Sequence, residues 1–233
     1  MCAGRWWSRA KLPDLTWRLR SQICVKAADG VTELFGLMFT PSQLDKSKKY
    51  PIVNNAYPGP QTGSVGGRAF SLGSGDKQAL AELGFVVIAL DGRGTPGRSK
   101  SFHDHYWGRM GRDNTIPDQV AGMRDLATQY PFIDINRAGM WGHSGGGFIT
   151  ADAMFRYPQF FKVGIAESGN HDQRMYEDDW GERYQGQLTR IGDSDSYEIE
   201  ANQRYAKNLQ GKLLLAHGTM VRHFVCSLVG ADA

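Results

Sequence analysis

The chain is 233 residues long, 41% apolar, and carries a formal net charge of +3. That length suits one α/β domain with a single core better than two, and so small a charge argues against a nucleic-acid binder. No run of about 18 apolar residues is present, so no helical membrane span is expected.

Residues 1–24 open with Met1-Cys2-Ala3-Gly4-Arg5-Trp6-Trp7-Ser8-Arg9, which has no apolar h-region and so is not a secretory signal. They are left unassigned, as a disordered or foreign leader. Cys2, Cys24 and Cys226 lack the spacing of a disulfide framework or a zinc site. From Val25 onward strand and helix signals alternate, the pattern of a mainly parallel sheet flanked by helices. Residues 32–39 read as an early strand ending at Pro41, and residues 50–57 as a second, closed by Pro58-Gly59-Pro60. The clearest strand is Phe85-Val86-Val87-Ile88-Ala89-Leu90, an unbroken apolar run of the kind buried on both faces. It ends in the turn Asp91-Gly92-Arg93-Gly94.

A helix is expected to start near Thr115, which stands at capping-box spacing from Asp118, with Pro117 in the first turn. Ile116, Val120, Met123, Ala127 and Tyr130 recur at steps of three and four residues, so this helix buries one stripe. Next come the apolar run Ala138-Gly139-Met140-Trp141, the turn Gly142-His143-Ser144-Gly145-Gly146, and an amphipathic segment over residues 148–155. Strand, tight glycine turn and helix are the context in which G-x-S-x-G becomes a nucleophile elbow, a strained turn that exposes the serine hydroxyl. Glycines beside Ser144 remove the Cβ atoms that would clash in so sharp a bend. Residues 162–168 read as another strand, 197–209 as a helix and 212–218 as a last strand. This order puts Ser144 at the carboxyl end of a central strand, where open α/β sheets present their chemistry. The fold expected is α/β hydrolase.

Several motifs then fall in one order. Tyr57-Pro58-Gly59-Pro60, Asp91-Gly92-Arg93-Gly94, the elbow from Trp141 to Gly146, Glu182-Arg183-Tyr184-Gln185-Gly186 and His217-Gly218-Thr219 together resemble the catalytic domain of the prolyl oligopeptidase family, in its dipeptidyl peptidase IV-like branch. The resemblance spans residues 25–220. It implies Ser144 as the nucleophile, the Gly145 N–H and Tyr57 hydroxyl as an oxyanion hole, and Tyr176 and Trp180 as aromatic walls of the pocket for the residue before the cleaved bond. Trp180 departs from the family's more usual Tyr. Read as ordinary core aromatics, Tyr57, Tyr176 and Trp180 would simply fill the interior.

The resemblance also implies an Asp at position 221 and a His about thirty residues later, and a serine needs such a base to react. Val221 stands there instead, and from it onward the pattern stops in mid-motif, as a reading-frame shift would produce. Residues 221–233 are therefore read as an aberrant tail, and the last strand and helix of the fold as missing. No other histidine is placed by sequence as a base: His103 and His105 are read as belonging to a polar loop, His171 to the loop after a strand and His217 to a strand end. His223 with Asp232 has nothing to position it. The acidic run Glu177, Asp178, Asp179 and Glu182 reads as a solvated face. No cofactor and no metal are implied. The reading is a serine peptidase acting through an acyl-enzyme on peptides, after proline or another small residue, and expected to be inactive as this chain because the triad Asp and His are absent, with a carboxylesterase of the same fold and a non-catalytic fragment as alternatives. An incomplete sheet edge is further expected to drive self-association.

Overall fold

The computed structural model describes residues 21–57, 60–66, 75–111 and 114–218, and its sheet begins at Ser21, four positions before the boundary expected at Val25. Strand β1 (Ser21–Lys26) alternates outward residues with buried Ile23 and Val25 and pairs antiparallel with β2 (Glu33–Phe39). The strands β3 (Tyr50–Asn55), β4 (Val86–Asp91), β5 (Ile133–His143) and β6 (Phe161–Glu167) follow, each at its expected place within a few residues. A two-residue hairpin, β7 (Arg190–Ile191) and β8 (Ser194–Asp195), stands apart, and β9 (Lys212–Ala216) closes the main sheet. Among the described residues the main sheet has seven strands in the order β1-β2-β4-β3-β5-β6-β9, in which β2 runs antiparallel to both its neighbours and β4, β3, β5, β6 and β9 run parallel.

Residues 86–90 on β4 are fully buried, as their unbroken apolar run requires of a strand covered on both faces. Helix α1 (Gly75–Glu82) packs on β4 from one side. The short helix α2 (Lys100–His103) and a 3-10 turn (Asp104–Tyr106) carry His103 and His105, where a polar loop was expected. Helix α3 (Ile116–Gln129) packs on β1 and β5, and Ile116, Val120 and Met123 form its buried stripe. Pro117 lies in its first turn as expected, but the capping box does not form. Thr115 is left-handed (φ 43°) and makes no side-chain cap. The Asp118 carboxylate accepts instead from the Ala28 N–H and from the Arg93 guanidinium at 2.8 Å. A buried bidentate pair of this kind outweighs one neutral cap bond.

Helix α4 (Gly145–Arg156) packs on β5 and β6. Residues 146–155 are all buried, Thr150 and Asp152 included, so α4 is a core helix rather than an amphipathic one. Helix α5 (Asp178–Gln185) follows, with Glu177, Asp178, Asp179 and Glu182 exposed on its acidic side. The helix expected over 197–209 is two 3-10 segments, Glu198–Glu200 and Asn202–Asn208. Tertiary anchors tighten it: Asn202 donates to the Phe148 carbonyl, and the Tyr205 ring stacks under Arg156. Among the described residues no helix is long and apolar enough to cross a membrane. Val221, His223, Asp232 and the 221–233 tail lie outside the described residues, as does the leader as far as Arg20.

Candidate active site

Ser144 sits between the end of β5 and the start of α4 with φ 59° and ψ −121°, a conformation that costs a non-glycine residue about 1–3 kcal/mol and persists only where the surroundings enforce it. The enforcement is visible. The Ser144 N–H donates to the Glu167 carbonyl at 2.8 Å, and its own carbonyl accepts from Phe148 N–H at 3.0 Å. A Cβ on Gly142 would lie 2.5 Å from the backbone of Gly146, and one on Gly146 would lie 2.5 Å from the Ala56 carbonyl oxygen. Both glycines are there because backbone passes where side chains would go.

Tyr57 follows the carboxyl end of β3, next to β5 in the sheet. Its phenol ring lies against Gly145: a Cβ built there would stand 3.3 Å from the ring and 3.5 Å from the hydroxyl. The Gln61 amide donates to the Tyr57 hydroxyl oxygen at 3.3 Å, which leaves the phenol proton free to be donated elsewhere.

Tyr57, Ser144, Gly145, Tyr176 and Trp180, the five residues expected at the site, all line one pocket, together with Gln61, Met110, Phe148, Asn170 and Gln173. The free space between them is about 20 Å³, room for roughly one water. Tyr176 and Trp180 meet edge to face, with centroids 5.4 Å apart, and Trp180 leans on Tyr184 at 5.1 Å. Tyr57, Tyr176 and Trp180 are thus half-buried walls of a cleft and not interior packing. Burial first, then Glu177, Tyr57 and Asp179, raises the Tyr176 pKa and keeps its phenol neutral.

The additional lining residues carry weak sequence signals. Gln61 directly follows the Tyr57 motif, but nothing in its letter says that its amide turns back to the phenol. Asn170 and Gln173 flank His171, where the chain leaves β6 at the sheet's carboxyl edge. Met110 reaches the pocket from the loop after the Asp104–Tyr106 turn, which no local pattern links to the elbow.

Four of the five described histidines have partners other than Ser144. His103 pairs with the Pro60 carbonyl at 2.7 Å, and exposed His143 stands 3.8 Å from the Glu167 carboxylate. His217 Nδ1 pairs with the Gly218 carbonyl. His171 takes the Asn202 amide on Nδ1 at 3.0 Å, which makes Nδ1 an acceptor and the ring neutral. Burial, with a smaller push from His217, holds the His171 pKa down to about 4. Asp172 is bound by Arg174 at 2.6 Å and by Gln203. Among the described residues no cluster of three or more His, Cys, Asp or Glu could hold a metal ion.

Two solved structures share this fold. The profile of the prolyl oligopeptidase family matches residues 71–221. The chain is 37% identical to mouse (Mus musculus) dipeptidyl peptidase 8 over 153 residues, 66% of this chain and 17% of that protein. It is 31% identical to mouse prolyl endopeptidase FAP over 197 residues, 83% of this chain and 25% of that protein. Among solved structures, a putative dipeptidyl aminopeptidase IV from Bacteroides ovatus superposes with a TM-score of 0.76 at 32% identity, over 85% of this chain and 28% of that one. Porphyromonas gingivalis dipeptidyl peptidase 4 does so with a TM-score of 0.74 at 30% identity, over 85% and 27%. The chain therefore spans between 17% and 28% of the length of these relatives. With the sheet, the elbow and the family profile in agreement, the fold is an α/β hydrolase, and the chain belongs to the prolyl oligopeptidase family.

Proposed function

We propose that this chain carries the nucleophile and oxyanion side of a serine peptidase site that cleaves peptides through an acyl-enzyme. The observation that carries the reading is the Tyr57 phenol lying over Gly145 beside the strained Ser144. In the reaction the Ser144 oxygen bonds to the substrate carbonyl carbon while a base, which none of the described residues supplies, takes the hydroxyl proton, and the carbonyl oxygen becomes an oxyanion. The Gly145 N–H and the Tyr57 hydroxyl donate to it, and preset donors of this kind are each worth about 3–4 kcal/mol. Collapse breaks the C–N bond, the base returns the proton to the leaving amine, and water then hydrolyses the ester. The aromatic pair Tyr176 and Trp180 offers a flat apolar wall, suited to proline or another small residue before the cleaved bond. The relatives described above, a dipeptidyl peptidase and a prolyl endopeptidase, support that preference.

One observation favours a second, non-catalytic reading: Val221 stands where the resemblance puts the carboxylate that orients the base. A fluorophosphonate probe on the purified full chain decides between the two. Labelling at Ser144, lost in Ser144→Ala and slowed about a hundredfold in Tyr57→Phe, is the expected result for a peptidase site. A folded chain that takes no label is non-catalytic. Hydrolysis of short esters without hydrolysis of prolyl amides would instead make it a carboxylesterase of the same fold. We further infer that the chain self-associates along β9 and the apolar sheet face beside it, where Val163, Ile165 and Leu214 are exposed.

A further inference from the structure

Asp91 ends β4, whose residues 86–90 are fully buried, so its carboxylate stands on a rigid base at the carboxyl edge of the sheet. Strands β3 and β4 are parallel neighbours, and the segment following β3 therefore passes beside this carboxylate. Asp91 Oδ1 accepts the Ser64 N–H at 2.6 Å and the Val65 N–H at 3.1 Å. The wrap is close: a Cβ on Gly63 would fall 2.6 Å from Asp91 Oδ1. Ser64, held in this way, turns its hydroxyl on Tyr57. Its Oγ accepts the Tyr57 N–H at 2.6 Å and donates to the Tyr57 carbonyl at 3.0 Å. One side chain thus satisfies both polar backbone groups of the residue whose phenol lies over Gly145.

The arginine of the same turn does not neutralise Asp91. Arg93 pairs with Asp118 at 2.8 Å and with Asp29 at 2.9 Å, and among the described residues the Asp91 carboxylate is met by the loop amides of Ser64 and Val65. Hydrogen bonds from N–H to a carboxylate are roughly twice as strong as neutral ones. Burial raises the Asp91 pKa, and the two amide bonds offset only part of that rise.

We propose that Asp91, acting through Ser64, is a positioning residue for the Tyr57 hydroxyl of the oxyanion hole. The inference rests on the peptidase reading for what Tyr57 does, but the clamp itself is a matter of geometry. An oxyanion donor must hold its place to a fraction of an ångström, and a small misplacement of a reacting group is costly in rate. Asp91 touches neither substrate nor the reacting atoms. It works by denying Tyr57 the freedom of an ordinary loop residue.

Two measurements on the full chain test this, with Asp91→Ala, Asp91→Asn, Ser64→Ala, Tyr57→Phe and the Asp91→Ala/Tyr57→Phe pair. The first is amide hydrogen exchange. Asp91→Ala is expected to speed exchange at Tyr57, Ser64 and Val65 by about tenfold or more, as loss of a local closing interaction does. Ser64→Ala is expected to free Tyr57 while Val65 stays protected. Unchanged exchange at Tyr57 in both variants would overturn the clamp, whether or not Ser144 reacts.

The second measurement is the rate of fluorophosphonate labelling of Ser144. Asp91→Ala and Ser64→Ala are each expected to slow it about tenfold, and Asp91→Asn, which keeps an acceptor oxygen, to recover most of that loss. In the Tyr57→Phe background Asp91→Ala should slow it no further, because both changes act on one hydroxyl. Multiplying effects in the double variant, or normal labelling in a folded Ser64→Ala, would overturn the inference. A wild-type chain that takes no label defeats the peptidase reading alone, and the exchange data then decide the clamp.

Discussion

On the face of the sheet that α3 and α4 cover, Ile52, Ile88, Leu90, Met140 and Ala166 are buried to within 2%. On the opposite face Val163, Ile165 and Leu214 are 49%, 36% and 58% exposed. The chemistry of the two sets is similar, and adjacent residues of one strand supply both. Along β6 the side chains alternate, so Ala166 faces α4 while Val163 and Ile165 face away. Helix α1 covers the open face only beside β2 and β4, where Leu37, Phe39, Ala81 and Val87 form a small cluster. From β3 outward, Val53, Trp141, Val163 and Ile165 line an apolar groove of about 700 Å³ with Leu80, Leu83 and Phe85. The elbow hangs on the covered face, because α4 begins at Gly145 and packs on β5, β6 and the Asn202–Asn208 segment. Position in the layers, not residue type, decides what an isoleucine here contributes.

The largest expected contrast is between two isoleucines. Ile149 on α4 is fully buried, and Ile149→Ala should destabilise the chain by about 2–5 kcal/mol, the range for emptied core sites. Ile165→Ala on the open face should cost less, about 1–2 kcal/mol, since roughly a third of its surface is already wet. Urea unfolding measures both. Equal losses would break the comparison.

A second contrast lies in pH, because the covered side also buries titrating groups. Asp152 on α4 lies fully buried, with Arg156 at 2.6 Å, Asn114 at 3.3 Å and Glu200 nearby. Burial is the main cause that pushes its pKa from 3.8 up to about 7. A raised carboxyl holds in the folded state a proton that the unfolded chain releases. Its contribution is therefore full below pH 3.8 and is lost as pH rises to about 7. His171 runs the other way. With its pKa pushed down from 6.5 to about 4, its contribution is full above 6.5 and is lost as pH falls to about 4. The two slopes oppose each other, so wild-type stability should vary little across this window. Asp152→Asn should expose a stability that rises with pH, by about 1–3 kcal/mol, and His171→Gln one that falls by a similar amount. Urea midpoints across the window read the slopes. Parallel pH profiles for the two variants would show that these groups do not titrate as their burial requires.

Much of this architecture is legible in the letters, for a physical reason. An unbroken run such as Val86-Val87-Ile88-Ala89-Leu90 has few alternatives to a buried strand, and Gly142-His143-Ser144-Gly145-Gly146 between strand and helix patterns has few alternatives to an elbow. The misses are places where a tertiary partner decides. Thr115 and Asp118 have the letters of a capping box, but Arg93, distant in sequence, takes the carboxylate. Residues 202–208 carry helix-forming letters, and the pull of Phe148 and Arg156 on Asn202 and Tyr205 draws them into a tighter turn. β1 escapes notice because only Ile23 and Val25 point inward from a short strand. At the site, Ser144, Gly145, Tyr57, Tyr176 and Trp180 come from motifs, and the structure puts them around one pocket. The hold of Asp91 on Ser64 and Val65 is invisible in sequence, because its partners are backbone N–H groups that any residue supplies.

The smallest effect on stability should accompany the plainest effect on assembly. β9 is the outer strand of the sheet among the described residues, and Leu214 stands in register with Ile165 on its inner neighbour. A strand edge open among the described residues, beside an exposed apolar strip, invites a second copy to pair along it. Leu214→Lys puts a charge that must stay hydrated in the middle of such a contact. It removes little buried surface from the monomer, because Leu214 is 58% exposed already. Unfolding free energy should therefore stay within about 0.5 kcal/mol of the wild type. Sedimentation velocity should show the oligomer population falling in favour of monomer. The matching change on the covered face, Met140→Lys, would bury an unpaired ammonium and unfold the chain, so failure to fold there and dissociation here are the same substitution read on two sides of one sheet. A wild-type chain that is monomeric at high concentration would show that the open face does not pair copies of this chain. Leu214→Lys would then leave sedimentation and stability alike unchanged.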